Sequence, residues 1–205
     1  MARQLAEDAV EAAFARRVTP GRALADDAER IAQACHDMAV RFHRGGKLVV
    51  FGNGGAATDA QHVVVEFVHP VIVGKRALPA ISLTNDPATL TGIARTDGFD
   101  EVFAAQLHLL ATPQDIALGI SADGGCGNVL RALETAKDLG LLTVAMLGGD
   151  GGDIARSGKV DHVVVARSED PCVVKEVHVT AYHILWELVH VFLEQPGLLG
   201  PEVIR

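Results

Sequence analysis

Leu48-Val49-Val50-Phe51-Gly52-Asn53-Gly54-Gly55-Ala56-Ala57-Thr58-Asp59-Ala60-Gln61-His62 joins an uninterrupted apolar run to a glycine-rich turn and a helical pattern. A run without polar alternation predicts a strand buried on both faces. Gly52, Gly54 and Gly55 permit backbone angles closed to other residues and let a ligand approach the main chain. The helix that follows would point free N–H groups and its positive dipole end at the strand tip, a ready anion site. Further along it, His62 and Glu66 fall one turn apart on one face. A glycine-rich loop alone is a weak signal. The spacing from this loop to a His and a Glu is informative.

Outward from this stretch, apolar runs predict strands over 47–51, 79–83, 115–120, 142–147 and 161–165. Helical spacing fills 57–69, 87–109, 126–139, 151–157 and 172–194. Strict β/α alternation predicts an α/β fold: a three-layer α/β/α sandwich around a five-stranded parallel sheet. Ligands in such sheets bind at the carboxyl ends of the strands. Two helices precede the first strand. One covers 2–16 and is broken by Thr19-Pro20-Gly21; the other runs from Ala23 to Phe42 and ends at Gly45-Gly46. They carry more apolar surface than one domain face needs. Residues 2–44 are therefore expected to pack in an oligomer as well as on the sheet. Gln195-Pro196-Gly197 should end the last helix, with the tail to Arg205 exposed or packed on a neighbour.

A length of 205 residues fits one domain, 1–205, with a full core. Hydrophobic residues make up 49% of the chain, yet no run approaches the roughly 18–20 residues of a membrane span. The start of the chain is charged and lacks a signal-peptide core. Cys35, Cys126 and Cys172 show no metal-type pairing, so a reducing cytoplasm is the expected compartment. A formal net charge of −8 with no basic cluster argues against direct nucleic-acid binding.

Gly52-Asn53-Gly54-Gly55-Ala56-Ala57-Thr58-Asp59-Ala60-Gln61-His62 followed by Glu66 resembles the GNGGSAADAQHxxxE signature of bacterial phosphoheptose isomerases, small sugar isomerase (SIS) domain proteins. The likeness extends to Leu90–Ala94, Gly98–Phe103, Asp150-Gly151-Gly152, and Glu176 and His178 with His183. It implies a flavodoxin-like topology, a homotetramer and conversion of sedoheptulose 7-phosphate to glycero-manno-heptose 7-phosphate through an enediol. It makes Glu66 the base and His183 its partner. Gly52, Asn53, Gly54, Gly55, Ser121, Asp123, Gly124, Cys126 and Lys175 would bind the sugar phosphate. The resemblance implies no required cofactor. Zinc on His62, Glu66 and His183 is the metal alternative. At the fourth family position Lys175 replaces Gln; an ammonium offers no lone pair and could instead pair with Glu66.

The phosphate loop departs from the family. Where relatives carry Ser-Thr-Ser-Gly-Asn-Ser, this chain has Ser121-Ala122-Asp123-Gly124-Gly125-Cys126, and Ala56 replaces a Ser in the first loop. Thr96 stands for an Asp, and Pro171 and Val173 for Thr and Arg. The Asp123 carboxylate is expected to cap the following helix and repel a phosphate. A second set, Cys126, Asp123, His62, Glu66 and His183, could converge on one soft-metal pocket, against the plainer reading of a small buried Cys and a capping Asp. His69, His108, His162 and His190 read as surface or packing residues. The alternative to an isomerase is therefore a catalytically altered SIS protein that binds a ligand or a protein. Relatives of that kind associate with the replication initiator DnaA. A third class is an isomerase or lyase for a neutral or cationic substrate.

Overall fold

The computed structural model describes residues 2–200; the expectation for the tail to Arg205 lies outside them. The elements run α1 (Ala2–Asp26), α2 (Ala28–His43), β1 (Leu48–Gly52), α3 (Gly55–Val68), β2 (Ala80–Ser82), α4 (Pro87–Thr96), α5 (Ala104–Leu110), β3 (Ile116–Ser121), α6 (Gly127–Asp138), β4 (Leu142–Gly148), α7 (Gly152–Arg156), β5 (His162–Ala166) and α8 (Pro171–Leu193). All strand pairs are parallel, in the order β2-β1-β3-β4-β5. The expected α/β sandwich and flavodoxin-like order are thus present. Each strand lies within one residue of its expected span.

Burial explains why the strands read so plainly. β1, β3 and β4 are buried along their whole length. Successive side chains serve opposite faces: Leu48 and Val50 pack with α2, α3 and α8, while Val49 and Phe51 pack with α5, α6 and α7. On the first face Met38, Phe67, Tyr182 and Trp186 fill the layer; on the second, Phe103, Leu107 and Leu133 do. Each fully buried Leu, Ile or Phe contributes roughly 1.5–3 kcal/mol. Two helices start at Asp-Pro pairs that suit their ends. Asp86 accepts from Ala88 and Thr89 N–H, Asp170 accepts from Cys172 N–H, and a proline follows each.

Two helix expectations are corrected. The chain does not break at Thr19-Pro20-Gly21: α1 continues through Pro20 to Asp26, and α2 starts at Ala28 rather than Ala23. Proline removes one helix N–H and disfavours the turn before it. Here Pro20 and Leu24, one turn apart, are both buried, and that packing carries the helix past the proline. The span 87–109 is not one helix. Gly98, at φ 95°, separates α4 from a short 3-10 turn at Phe99–Glu101 and from α5. Only glycine enters that region without strain.

The loops at the carboxyl ends of β3 and β4 meet backbone to backbone. A Cβ on Gly124, at φ 72°, would lie 1.9 Å from the Gly151 carbonyl oxygen. Gly124→Ala is therefore expected to cost more than about 3 kcal/mol, through left-handed strain and overlap that no side-chain rotation relieves. Urea denaturation measures this, and a midpoint equal to wild type would show that the two loops part easily.

Candidate functional site

The sheet order reverses between β1 and β3, and the loops leaving these strands form the crevice in which such folds hold ligands. At the root of these loops a Cβ on Gly52 would lie 2.7 Å from the Ile120 carbonyl oxygen, so glycine is needed where the ends of β1 and β3 pair. A reciprocal amide pair ties the two sides. Asn53 Nδ2 donates to Asn128 Oδ1 at 2.7 Å, and Asn128 Nδ2 donates back to Asn53 Oδ1 at 2.9 Å. Asn128 is buried, so this exchange satisfies an amide that would be costly unpaired. Asn128 is not legible from the sequence, since its partner is distant along the chain.

Asp123 organises the second loop, in a way that differs from the expectation. Its Oδ1 accepts from Gly125 N–H at 2.9 Å and from the Ser121 hydroxyl at 3.2 Å. Ser121 Oγ accepts from Gly124 N–H at 3.0 Å. The carboxylate therefore closes an Asx turn and does not cap α6, whose N-cap residue, Cys126, also makes no side-chain cap. A second carboxylate stands nearby. Asp100 Oδ1 is 3.1 Å from the point a Cβ on Gly127 would occupy.

Between the β1 loop and the start of α8 lies a cavity of about 340 Å³. Asn53, Gly55, Ala56, Ala122, Lys175 and His178 contribute to its wall. Lys175 Nζ donates to Asp59 Oδ1 at 2.6 Å, to the Gly55 carbonyl at 3.1 Å and to Thr58 Oγ1 at 3.3 Å. Lys175 thus pairs with Asp59 and not with Glu66. Asp59 is only 5% exposed, and the ammonium at the rim compensates its charge. His178 is buried, and burial pushes its pKa down while the Leu147 backbone carbonyl acts the other way. Its Nε2 has no hydrogen-bond partner.

Farther along the same two helices lies a second cluster. One oxygen of Glu66 and one ring nitrogen each of His62 and His183 lie within 4.8 Å of one another. His62 Nε2 is 3.2 Å from Glu66 Oε1, and the His62 and His183 rings meet edge to face with centroids 5.4 Å apart. Tyr182, which is fully buried, holds the far side of His62 through Oη to Nδ1 at 2.6 Å. Burial pushes its phenol above the ordinary range. The donor set fits a cation held by three protein ligands with a position left open. Lys175 precedes His183 by eight residues, about 12 Å along a helix, and so stands away from this cluster within one chain.

The structure therefore divides the expected site residues. Among the described residues, Asn53, Gly55 and Lys175 line the cavity, and His62, Glu66 and His183 form the cluster. Gly52 and Gly54 shape the β1 turn behind them. Ser121, Asp123, Gly124 and Cys126 form the neighbouring loop, and Asp123 and Cys126 do not join the three potential ligands. Glu176 faces α1 instead, where Arg17 donates to both its oxygens at 2.6 and 2.8 Å and holds its carboxyl below the usual range. His190 is a packing residue, bonded to the Trp186 and Arg76 carbonyls. Asp59, Tyr182 and Asn128 were missed. Asp59 alone had a signal, one turn ahead of His62 on the same helix.

The SIS domain family model matches residues 15–148. A phosphoheptose isomerase of Solidesulfovibrio magneticus is 41% identical over 97% of this chain and 95% of that protein. The chain belongs to the SIS-domain phosphoheptose isomerase family. The phosphoheptose isomerase of Desulfovibrio desulfuricans is 39% identical, over 86% of this family member and 84% of that protein. Among solved structures, a phosphoheptose isomerase from Francisella tularensis superposes with a TM-score of 0.84 and 30% identity. That match covers 91% of this chain and 98% of the other. No helix among the described residues is long and apolar enough to cross a membrane.

Proposed function

We propose that this chain isomerises a seven-carbon ketose phosphate, sedoheptulose 7-phosphate, to glycero-manno-heptose 7-phosphate. The observation that carries the reading is the convergence of Glu66, His62 and His183 on two helices whose first turns flank the cavity. Glu66 would take a proton from the carbon beside the ketose carbonyl, while His183 gives a proton to the carbonyl oxygen. The resulting enediol then receives the Glu66 proton at the neighbouring carbon, and His183 recovers a proton from the other hydroxyl, so that both groups end as they began. The cavity would hold the rest of the sugar phosphate, with Lys175 at its rim. In the metal alternative, His62, Glu66 and His183 would instead hold a zinc ion, which would supply a Lewis acid for the carbonyl in place of the His183 proton. Lys175 adds no ligand to that set. Turnover of sedoheptulose 7-phosphate, with calorimetric titration and metal analysis of one sample, tests the reading. An absence of turnover would sink it.

One observation favours a second reading, a ligand-binding or protein-interaction module. The Asp123 carboxylate already takes the Gly125 N–H at the loop where relatives place hydroxyls. Binding of the sugar phosphate without turnover would select this reading.

Residues 1–205 are read as a single SIS domain that works as a homotetramer, with the N-terminal helices in the interfaces. Leu5, Val10 and Phe14 of α1 are exposed in the single chain, Phe14 at 69%. Water-exposed apolar side chains along one helix favour a second protein surface. Phe14→Glu is expected to lower the mass found by light scattering to that of a smaller assembly. A wild-type monomer at micromolar concentration would overturn the tetramer, and an unchanged mass in the variant would remove Phe14 from the interface.

A further inference from the structure

Tyr182 has no part in the chemistry described so far, yet it makes one of the shortest contacts at the site. It is 1% exposed, and its Oη lies 2.6 Å from His62 Nδ1. The two rings also meet edge to face, with centroids 5.3 Å apart. On the opposite side of the same imidazole, Nε2 is 3.2 Å from Glu66 Oε1. The three side chains form a row, Tyr182 to His62 to Glu66, that ends at the proposed base.

We propose that Tyr182 is a positioning residue that fixes the His62 tautomer and so aims an N–H at Glu66. A phenol carries one proton, and in an apolar layer that proton needs an acceptor. His62 Nδ1 is the ring nitrogen in reach, so the phenol O–H donates to it. A neutral imidazole with Nδ1 accepting carries its proton on Nε2. That N–H then donates to Glu66 Oε1. With one carboxylate oxygen held, the other keeps a fixed direction toward the substrate. Precision of this kind acts on the chemical step more than on binding. The opposite tautomer would set the Nε2 lone pair against the carboxylate and release Glu66 to rotate. The assignment concerns the metal-free chain, since a cation on Nε2 would send the proton to Nδ1 and make the Tyr182 oxygen the acceptor.

The catalytic side of this inference rests on the isomerase reading, so its test has two independent readouts. The first is nitrogen NMR of histidine-labelled, chelator-treated protein, with the His62 signals identified by their loss in His62→Asn. Wild type should show His62 protonated on Nε2, and Tyr182→Phe, which removes only the hydroxyl, should lose that preference. The second is kinetics of the same chelator-treated protein. Tyr182→Phe should lower kcat roughly tenfold with KM changed by less than about twofold, the scale of one lost hydrogen bond acting in the chemical step. Wild-type His62 protonated on Nδ1, or an unaltered tautomer in Tyr182→Phe, overturns the inference. An altered tautomer with kcat unchanged in an active enzyme overturns it as well. An inactive wild type would sink the isomerase reading alone, and the spectra would still decide for or against Tyr182. A variant that fails to fold would be replaced by Tyr182→Met, which fills the layer without a hydroxyl and faces the same two readouts.

Discussion

Glu66→Gln should lower kcat for sedoheptulose 7-phosphate by about 10²–10⁴-fold while KM and the fold stay close to wild type. An amide has the shape of the carboxylate but no basicity. It also keeps the local contact, because the Gln carbonyl oxygen can accept from His62 Nε2 as Glu66 Oε1 does at 3.2 Å. The Glu66 side chain is 13% exposed and bonded at one oxygen, so the substitution leaves no charged partner stranded in the core. Circular dichroism and urea midpoints near wild type would confirm that lost turnover is lost chemistry. A rate within a few-fold of wild type would take the proton transfer away from Glu66. Asp59, the buried carboxylate beside the cavity, would then be the next group to test.

What could be read from the sequence follows from which forces are local. The strands were legible because both faces of β1, β3 and β4 are buried, which demands unbroken apolar runs. The passage of α1 through Pro20 was not, because the packing of Pro20 and Leu24 overrides a local rule. At the site, His62 and Glu66 were readable as an i, i+4 pair on one helix, and the family spacing supplied His183. Pairing between helices was not readable. α3 and α8 both start at the carboxyl ends of strands and advance together, so Lys175 meets Asp59 in one layer and His183 meets Glu66 two turns on. Asp59 and Glu66 share a helix face seven residues apart, about 10 Å along the axis. Periodicity shows that either could face α8, and only the register chooses Asp59. Tyr182 escaped notice for a related reason. Next to His183 in an apolar stretch it reads as core, which it is, apart from a hydroxyl that reaches His62.

The loop after β3 sets the other large effect. Changing Asp123, Cys126 and Ala56 together to Ser should tighten sugar-phosphate binding about a hundredfold, because each recovered hydrogen bond to a charged group is worth roughly 1.5–3 kcal/mol. In the native loop Asp123 Oδ1 accepts the Gly125 N–H at 2.9 Å, so a donor that could hold a phosphate oxygen is already used by a carboxylate. Asp100 adds a second negative charge near the start of α6. Cys126, the N-cap of that helix, offers no cap, and Ala56 and Ala122 present methyl groups to the cavity. A serine at 123 holds the Gly125 N–H more weakly than the carboxylate does, so a phosphate oxygen can take that donor, and the substitution removes the repulsion. The Glu66 cluster lies farther along α3 and α8, so the gain should appear as a lower KM with kcat little changed. Calorimetry with sedoheptulose 7-phosphate beside steady-state kinetics separates the two quantities. Micromolar binding by the native protein, unimproved in the triple variant, would mean that main-chain N–H groups and Lys175 hold the phosphate without these hydroxyls. The Asp123 turn would then be a structural substitute for them, and no barrier to the substrate.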